Sequence, residues 1–214
     1  MTAGPWIPRL HAVTDQRVLS DPEFASGARA VVGVKGEGVL HLRGHDASGR
    51  HLNDLVLQLA RDVASAGWAL IVNDRVDVAL ARRLPGVHLA GHSLGPEDAR
   101  ALLGVGRLLG VSVHDMDEAD RAHRSGADYL VLGSIFDTPS HPRQARLGLK
   151  ALASVAEAIP IPVVAIGGIT PERVRDCLEA GAHGVAVLSG IWRTPDLAAA
   201  TAGYHRYLKD WRSP

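Results

Sequence analysis

Short apolar runs alternate with longer amphipathic stretches along the whole chain. The runs are rich in Val, Leu and Ile and too short for helices, which is typical of buried parallel strands. Eight strands are predicted, at Arg9–Thr14, Gly38–Arg43, Ala69–Asn73, Gly86–Leu89, Gly106–Ser112, Tyr129–Gly133, Pro162–Ile166 and Gly184–Leu188. The stretches between and after them predict helices at Pro22–Val32, Arg50–Ala66, Arg75–Arg83, Pro96–Leu103, Met116–Arg124, Lys150–Ala158, Pro171–Ala180 and Asp196–Trp211.

Glycines and capping residues mark the ends of these helices. Gly67, Gly126 and Gly181 each follow a predicted helix, where a left-handed residue would end it. Thr170 and Pro171 give the opposite signal, an N-cap hydroxyl followed by proline at the first helical position. The alternating units predict an α/β fold, a single-domain (β/α)8 TIM barrel of parallel strands that comprises residues 1–214.

Polar groups are concentrated where the predicted strands end, and in this architecture the functional groups lie on the loops after those ends. The candidate substrate-binding residues are Arg43, His45, Asn73, Ser112 and Thr138. Strand alternation puts Arg43 on the same face as His41, and its planar guanidinium suits a carboxylate or a phosphate. An interior arginine paired with a structural carboxylate is the alternative for Arg43.

Glycines follow the last two strands. In this fold those loops often present backbone amides to a phosphate, so Gly167, Gly168, Ser189 and Gly190 are predicted to bind phosphate. The alternative is that the glycines only permit tight turns and close packing.

His114 is the candidate catalytic residue. It follows the fifth strand, and a near-neutral imidazole there could take and return a proton. His45 and His92 follow strands in less regular loops. The histidines lack the spacing of a zinc site, so no metal is predicted, and Asp74 is interpreted as a helix cap.

Composition narrows the classes of partner. Lys and Arg number 23 and Asp and Glu number 23, so capture of nucleic acid or of an anionic membrane is not expected. No stretch approaches the ~20 apolar residues that span a bilayer, and the first residues lack a secretory signal pattern. The single cysteine, Cys177, lies in a predicted helix and is interpreted as a residue of the packed core, which fits a cytoplasmic protein.

The long loop Asp137–Leu147 is a candidate flap over the site.

Several motifs resemble the superfamily of thiamine phosphate synthases and thiazole tautomerases, whose members are (β/α)8 barrels. The matching segments run in the family's order and are Leu10–Asp15, Leu40–Arg43, Ile71–Leu80, Gly86–Leu89, Gly110–His114, Gly126–Tyr129, Val164–Pro171 and Gly184–Ile191.

The departures from the synthase motifs favour the tautomerase branch. His45 and His141 stand where the resemblance implies synthase lysines, and Ser93 stands at the second of two metal-binding aspartates, the first being Asp74. The tautomerase resemblance implies an isomerase of thiamine biosynthesis that aromatises a thiazole carboxylate phosphate. His114 would move the proton without metal, and Arg43 would hold the substrate carboxylate or the region that corresponds to a pyrophosphate.

Two alternatives stay open. The chain could be a thiamine phosphate synthase, a Mg²⁺-dependent transferase that joins a pyrimidine pyrophosphate to a thiazole phosphate; Asp74 would then bind the metal. It could also be a binding protein for thiamine or thiazole phosphate without catalysis. In each case the expected partner is a small phosphorylated molecule, with a homodimer as a possible assembly.

Overall fold

The architecture is a closed barrel of eight parallel strands, in the order of the chain. A computed structural model describes residues 6–91, 94–138, 146–209 and 211. The strands are β1 Leu10–Val13, β2 Gly38–Leu42, β3 Ala69–Asn73, β4 Gly86–Leu89, β5 Leu108–Val113, β6 Tyr129–Gly133, β7 Val163–Ile166 and β8 Gly184–Val187. The predicted fold class is confirmed, and each strand boundary lies within two residues of its prediction.

Helices connect the strands and cover the outside of the barrel. They are α1 Gln16–Leu19, α2 Phe24–Val32, α3 Gly49–Ser65, α4 Val76–Ala81, α5 Pro96–Leu103, α6 Met116–Arg124, α7 Gly148–Ala158, α8 Val174–Glu179, α9 Ser189–Trp192 and α10 Leu197–Lys209, with a 3₁₀ turn at Pro171–Arg173. The sequence pattern did not place the four-residue helices α1 and α9, because one turn is too short to show a helical period.

The main hydrophobic core lies between the strands and the helices. Outward-facing strand residues such as Leu10, Leu40 and Leu130 are fully buried there. The inside of the barrel holds a smaller apolar cluster around Ile71 and Val164. Since the outer layer already buries a large apolar area, polar groups inside the barrel are tolerated where they find hydrogen-bond partners.

The predicted helix ends are largely confirmed. Gly67, Gly126 and Gly181 have φ angles of 76°, 87° and 89°. Thr170 does precede Pro171 at the start of a turn, but its hydroxyl makes no capping hydrogen bond.

The interpretation of Asp74 as a helix cap is wrong. The N-cap position of α4 belongs to Arg75, and no side chain caps that helix. Asp74 Oδ1 instead accepts the backbone N–H of Ala90 at 2.8 Å, which ties the ends of β3 and β4 together. The short turn between Asn73 and Val76 directs the carboxylate sideways to the neighbouring strand end rather than along the helix.

Two further observations concern Cys177 and the helices. Cys177 in α8 is fully buried in the main core, and burial raises the pKa of its thiol to about 12. Among the described residues, no helix combines the length and apolar character needed to cross a membrane.

Candidate active site

A cavity of about 300 Å³ opens at the carboxyl end of the barrel. Residues at the ends of all eight strands line it. They include every candidate from the sequence, namely Arg43, His45, Asn73, Ser112, His114, Thr138, Gly167, Gly168, Ser189 and Gly190. The barrel thus gathers ten residues that are spread over the chain, while the role of each one stays a prediction.

Two buried histidines form part of the cavity wall and were not among the candidates. His41 and His88 lie inside the barrel, 1% and 3% exposed, and both line the cavity. The shared face of His41 and Arg43 was a usable signal for one of them. No sequence signal distinguished His88 from a core residue.

These histidines are uncharged. Burial, followed by the electrostatic effects of His11 and Arg43 on the protonated ring, lowers the pKa of His88 to about 3. Burial also lowers the pKa of His41 well below 6.5, and the neighbouring His88 adds to that effect. His88 Nε2 lies 2.8 Å from Ser112 Oγ, so a neutral ring positions the Ser112 hydroxyl at the cavity.

Arg43 is held at the cavity by a buried threonine. The Thr14 hydroxyl accepts the backbone N–H of Arg43 at 2.8 Å and donates to the His41 carbonyl at 2.9 Å. The guanidinium Nη2 in turn donates to His45 Nε2 at 3.2 Å. Because a guanidinium can only donate, this His45 nitrogen carries no proton in the observed arrangement.

The loop after β7 turns its carbonyls away from the cavity. Phe136 N–H donates to the Gly167 carbonyl at 3.0 Å, and Arg173 Nη1 donates to the Gly168 carbonyl at 2.7 Å. The Tyr204 hydroxyl donates to the Ile169 carbonyl at 3.0 Å. The carbonyls of Gly167, Gly168 and Ile169 are therefore all held by hydrogen bonds.

The same geometry leaves backbone donors at the cavity. Among the described residues, the N–H groups of Gly168, Ser189 and Gly190 have no acceptor. Gly167 and Gly168 have φ angles of 100° and 63°, a conformation that glycine adopts without strain. Such unpaired N–H groups are suited to the oxygens of a phosphate.

His114 lies on the rim of the cavity, and the Glu118 carboxylate contacts its ring. Its Nδ1 is 3.1 Å from Glu118 Oε2, and its backbone N–H donates to the same oxygen at 2.7 Å. The side chain is about half exposed. Glu118 thus orients the ring, and Nε2 is the nitrogen left for a ligand.

The predicted flap is described at its two ends. Arg146 pairs with Asp137 at 2.9 Å, which joins the two ends to each other, and Leu147 N–H donates to the Ser134 carbonyl directly after β6 at 2.8 Å. Residues 139–145, and with them His141, lie outside the described residues. His92 and Ser93 lie outside them as well.

The described residues do not enclose a metal ion. They contain no group of three or more His, Cys, Asp or Glu side chains arranged to bind one. The Asp74 carboxylate is engaged by Ala90 and is not among the cavity-lining residues.

The comparisons with known sequences agree on one family. A family model described as thiamine monophosphate synthase matches residues 10–191. A thiamine-phosphate synthase of Chlorobium phaeobacteroides is 40% identical over 206 residues, which cover 96% of this chain and 98% of that protein. A thiamine-phosphate synthase of Chloroflexus aurantiacus is 41% identical over 193 residues, covering 90% and 88% of the two chains.

A solved structure agrees with the sequence matches. Thiamine phosphate pyrophosphorylase from Pyrococcus furiosus superposes with a TM-score of 0.82 at 30% identity, covering 94% of this chain and 96% of that one.

These matches overturn the expectation of a thiazole tautomerase, and with it the isomerase class. Relatives that align over nearly the whole chain are named thiamine-phosphate synthase. The expectation rested on three single departures from the synthase motifs, two missing lysines at His45 and His141 and one missing aspartate at Ser93. Those three side chains were given too much weight, since a guanidinium such as that of Arg43 and backbone amides can also bind anions.

Proposed function

The chain belongs to the thiamine monophosphate synthase family, and we propose that it is a transferase that joins a pyrimidine diphosphate to a thiazole phosphate and releases diphosphate. Its partners are then small phosphorylated heterocycles, and its place is in thiamine biosynthesis. We assign it to the cytoplasm, which its single, buried cysteine fits.

The observation that carries this proposal is the presence of two different anion-binding features around one cavity. The N–H groups of Gly168, Ser189 and Gly190 suit a monophosphate, and the Arg43 guanidinium suits a diphosphate. A reaction between two phosphorylated molecules needs both features at once. A substrate with one phosphate and no second anionic group would use only the first.

The proposed reaction requires little acid–base catalysis. The bond between the pyrimidine-bearing carbon and a diphosphate oxygen breaks, that oxygen keeps the electron pair, and the carbon bonds to the thiazole nitrogen. Negative charge grows on the leaving diphosphate, and a preorganised cation stabilises it. Arg43, fixed by Thr14, supplies that cation.

His114 therefore does not have to move a proton between carbon atoms. We assign it to substrate contact through Nε2, since Nδ1 is held by Glu118. The neutral floor formed by His41 and His88 suits an uncharged ring portion of a substrate.

Magnesium is the ion expected with a diphosphate. Mg²⁺ commonly takes one or two carboxylates together with substrate phosphates. Asp74 Oδ1 is bonded to Ala90, and the described residues contain no group of three or more metal ligands, so the described part of the protein does not by itself form a magnesium site. No step is assigned to the ion.

A direct activity assay tests the proposal. Purified protein is incubated with the pyrimidine diphosphate and the thiazole phosphate, with Mg²⁺ or with EDTA. We expect release of diphosphate that depends on both substrates, together with thiamine phosphate as product. Absence of product in both arms would refute the proposed activity, and tight binding of thiazole phosphate without turnover would favour a binding protein.

Substituting Gly168 tests the phosphate site. In Gly168→Ala the new methyl group would overlap the Asp137 carbonyl and lie 2.9 Å from Phe136 Cβ, so the loop must shift. Displaced N–H groups fit the phosphate poorly, and we expect the Kd for thiazole phosphate to rise about 10-fold in calorimetry, a loss of about 1.4 kcal/mol.

Gly67→Ala is the matched control for this substitution. Gly67 has a similar φ of 76°, nothing within 4 Å of a new Cβ, and a position away from the cavity. It carries the same backbone strain without touching the site. An equal effect of both substitutions on Kd would assign the loss to strain and contradict the phosphate site.

A further inference from the structure

One buried tyrosine contacts both segments to which phosphate binding is assigned. Tyr204 lies on α10 and is 1% exposed, with its ring in the main hydrophobic core. Its hydroxyl donates to the Ile169 carbonyl, in the loop after β7, at 3.0 Å. The same hydroxyl lies so close to Gly190, in the short helix α9 after β8, that a Cβ on Gly190 would overlap the hydroxyl oxygen. A single side chain therefore touches the chain after both of the last two strands.

The other contacts of these two segments lead elsewhere. In the loop after β7, the Gly167 carbonyl accepts from Phe136 and the Gly168 carbonyl accepts from Arg173. In α9, the backbone bonds run back to the Leu188 carbonyl within the same segment. Among the described residues, no hydrogen bond joins the loop after β7 directly to α9. Their relative position therefore depends on what packs against both of them.

The chemistry of the Tyr204 hydroxyl suits a permanent contact. Burial raises the pKa of Tyr204 to about 12, and the nearby Glu172 carboxylate adds to that effect. The hydroxyl keeps its proton at neutral pH and can donate to the Ile169 carbonyl without interruption.

The glycine at position 190 is explained by the same contact. Gly190 is not among the residues with a positive φ, so its backbone does not require glycine. The space that a side chain would need is occupied by the Tyr204 hydroxyl. Of the two sequence interpretations of this glycine, close packing is therefore observed, and it brings the N–H group of Gly190 into a fixed relation with α10.

A phosphate bound by two segments requires them at one particular spacing. The unpaired N–H groups belong to Gly168 on one segment and to Ser189 and Gly190 on the other. Each hydrogen bond weakens steeply once donor and acceptor leave the range of about 2.7–3.2 Å. A relative shift of the two segments by less than a bond length would therefore remove one set of donors from the phosphate.

We propose that Tyr204 is a positioning residue that sets the spacing between the Gly168 N–H group and the N–H groups of Ser189 and Gly190, so that both segments bind one substrate phosphate together. The inference rests on the proposed function, which assigns a monophosphate to these N–H groups. α10 lies beyond the segments that resemble the family, so no sequence motif pointed to Tyr204.

Tyr204→Phe tests the hydroxyl while it keeps the ring. The probe is inorganic phosphate, titrated by NMR and followed at the backbone amide signals of Gly168 and Gly190. We expect the Kd to rise about 5-fold, within the range that one neutral hydrogen bond allows. Tyr207→Phe removes a hydroxyl from an exposed tyrosine of the same helix and is the matched control, with an unchanged Kd.

The possible failures of this titration differ. If Tyr204→Phe bound phosphate as tightly as the wild-type protein, the positioning role would be refuted while the phosphate site stood. If the wild-type protein bound no phosphate, the phosphate site of the proposed function would be refuted, and the role of Tyr204 with it. Neither result requires turnover.

A double-mutant cycle with Gly190→Ala separates positioning from a general loss of stability. In the wild-type background the new methyl group overlaps the Tyr204 hydroxyl, so α9 must move. Without the hydroxyl, the closest remaining atoms are Val187 Cγ1 at 3.1 Å and Cζ of the ring at 3.2 Å, which need only small shifts. We expect Gly190→Ala to raise the phosphate Kd about 10-fold in the wild-type protein but less than about 3-fold when added to Tyr204→Phe.

A purely structural role of Tyr204 gives the opposite pattern. Two independent losses of stability would multiply, so Gly190→Ala would then raise the Kd by the same factor in both backgrounds. That result would contradict the proposal. Thermal unfolding of each variant shows that the titrated protein is folded, and Tyr204→Phe alone decides the question if Gly190→Ala does not fold.

Discussion

Acidification below about pH 6 is expected to destabilise the protein steeply, by about 4 kcal/mol per pH unit. Three fully buried histidines carry this effect. Burial is the first cause that lowers their pKa values. Electrostatic repulsion of the protonated ring is the second, and it comes from His41 and His183 on His11, from His88 and Arg43 on His41, and from His11 and Arg43 on His88.

The sign follows from proton uptake on unfolding. Above pH 6.5 these rings are neutral in both states, and the unfolding free energy does not depend on them. Below 6.5 the unfolded chain binds protons that the folded chain excludes, and each ring contributes about 1.4 kcal/mol per pH unit. The loss continues until the folded pKa is reached, about 3 for His88. Typical stabilities of roughly 5–15 kcal/mol would be exhausted within a few units.

Urea unfolding at a series of pH values measures this slope. His88→Gln is expected to reduce it by about 1.4 kcal/mol per pH unit, the contribution of one ring, whatever its effect on stability at pH 7. His45→Gln, which removes an exposed ring, is the matched control and should leave the slope unchanged. The partly buried His183 and His205, whose pKa values burial also lowers, add to the wild-type slope. A wild-type slope no larger than that of one group would contradict the assignment of three neutral rings.

The fold could be predicted from sequence because its signals are local and repeated. Short apolar runs recur in each unit, glycines such as Gly67 and Gly181 end several helices, and closure of the barrel follows from the number of strands. The short helix α9 was not predictable because a single turn shows no helical period in the sequence. The direction of the Asp74 carboxylate was not predictable either, because it depends on a contact with Ala90 at a neighbouring strand end that is distant in sequence.

The candidate site, like the fold, could be predicted in part from the sequence. Strand-end position was enough to select residues that meet at one cavity, because parallel strands bring their carboxyl ends to the same face. The buried histidines inside the barrel were not, since His11 and His88 look like ordinary core residues until closure of the barrel brings both into contact with His41 and Tyr129. The reaction was misjudged because single departures at His45, His141 and Ser93 were taken as decisive, although the backbone N–H groups of Gly168 and Ser189 suit a phosphate in either reaction.

Replacing Arg43 by alanine is expected to lower kcat/KM for the proposed transfer about 100- to 1000-fold. Among the described residues that line the cavity, Arg43 is the one permanently charged side chain. Diphosphate gains negative charge as it leaves, and no other fixed cation on the described wall compensates for it. Arg43→Lys keeps the charge but loses the two-pronged geometry, so an intermediate loss of about 10-fold is expected.

Arg43→Ala is expected to affect the two substrates differently, and that difference tests which of them Arg43 binds. Thiazole phosphate is assigned to the backbone N–H groups of Gly168 and Ser189, so its Kd should stay within about 2-fold of wild type in Arg43→Ala, while kcat/KM for the pyrimidine diphosphate collapses. Arg50→Ala removes an exposed arginine of α3 that lies outside the cavity, and it should leave both quantities unchanged. If Arg43→Ala weakened both substrates equally, the two anions would share one site, and the separate assignment of monophosphate and diphosphate would be wrong.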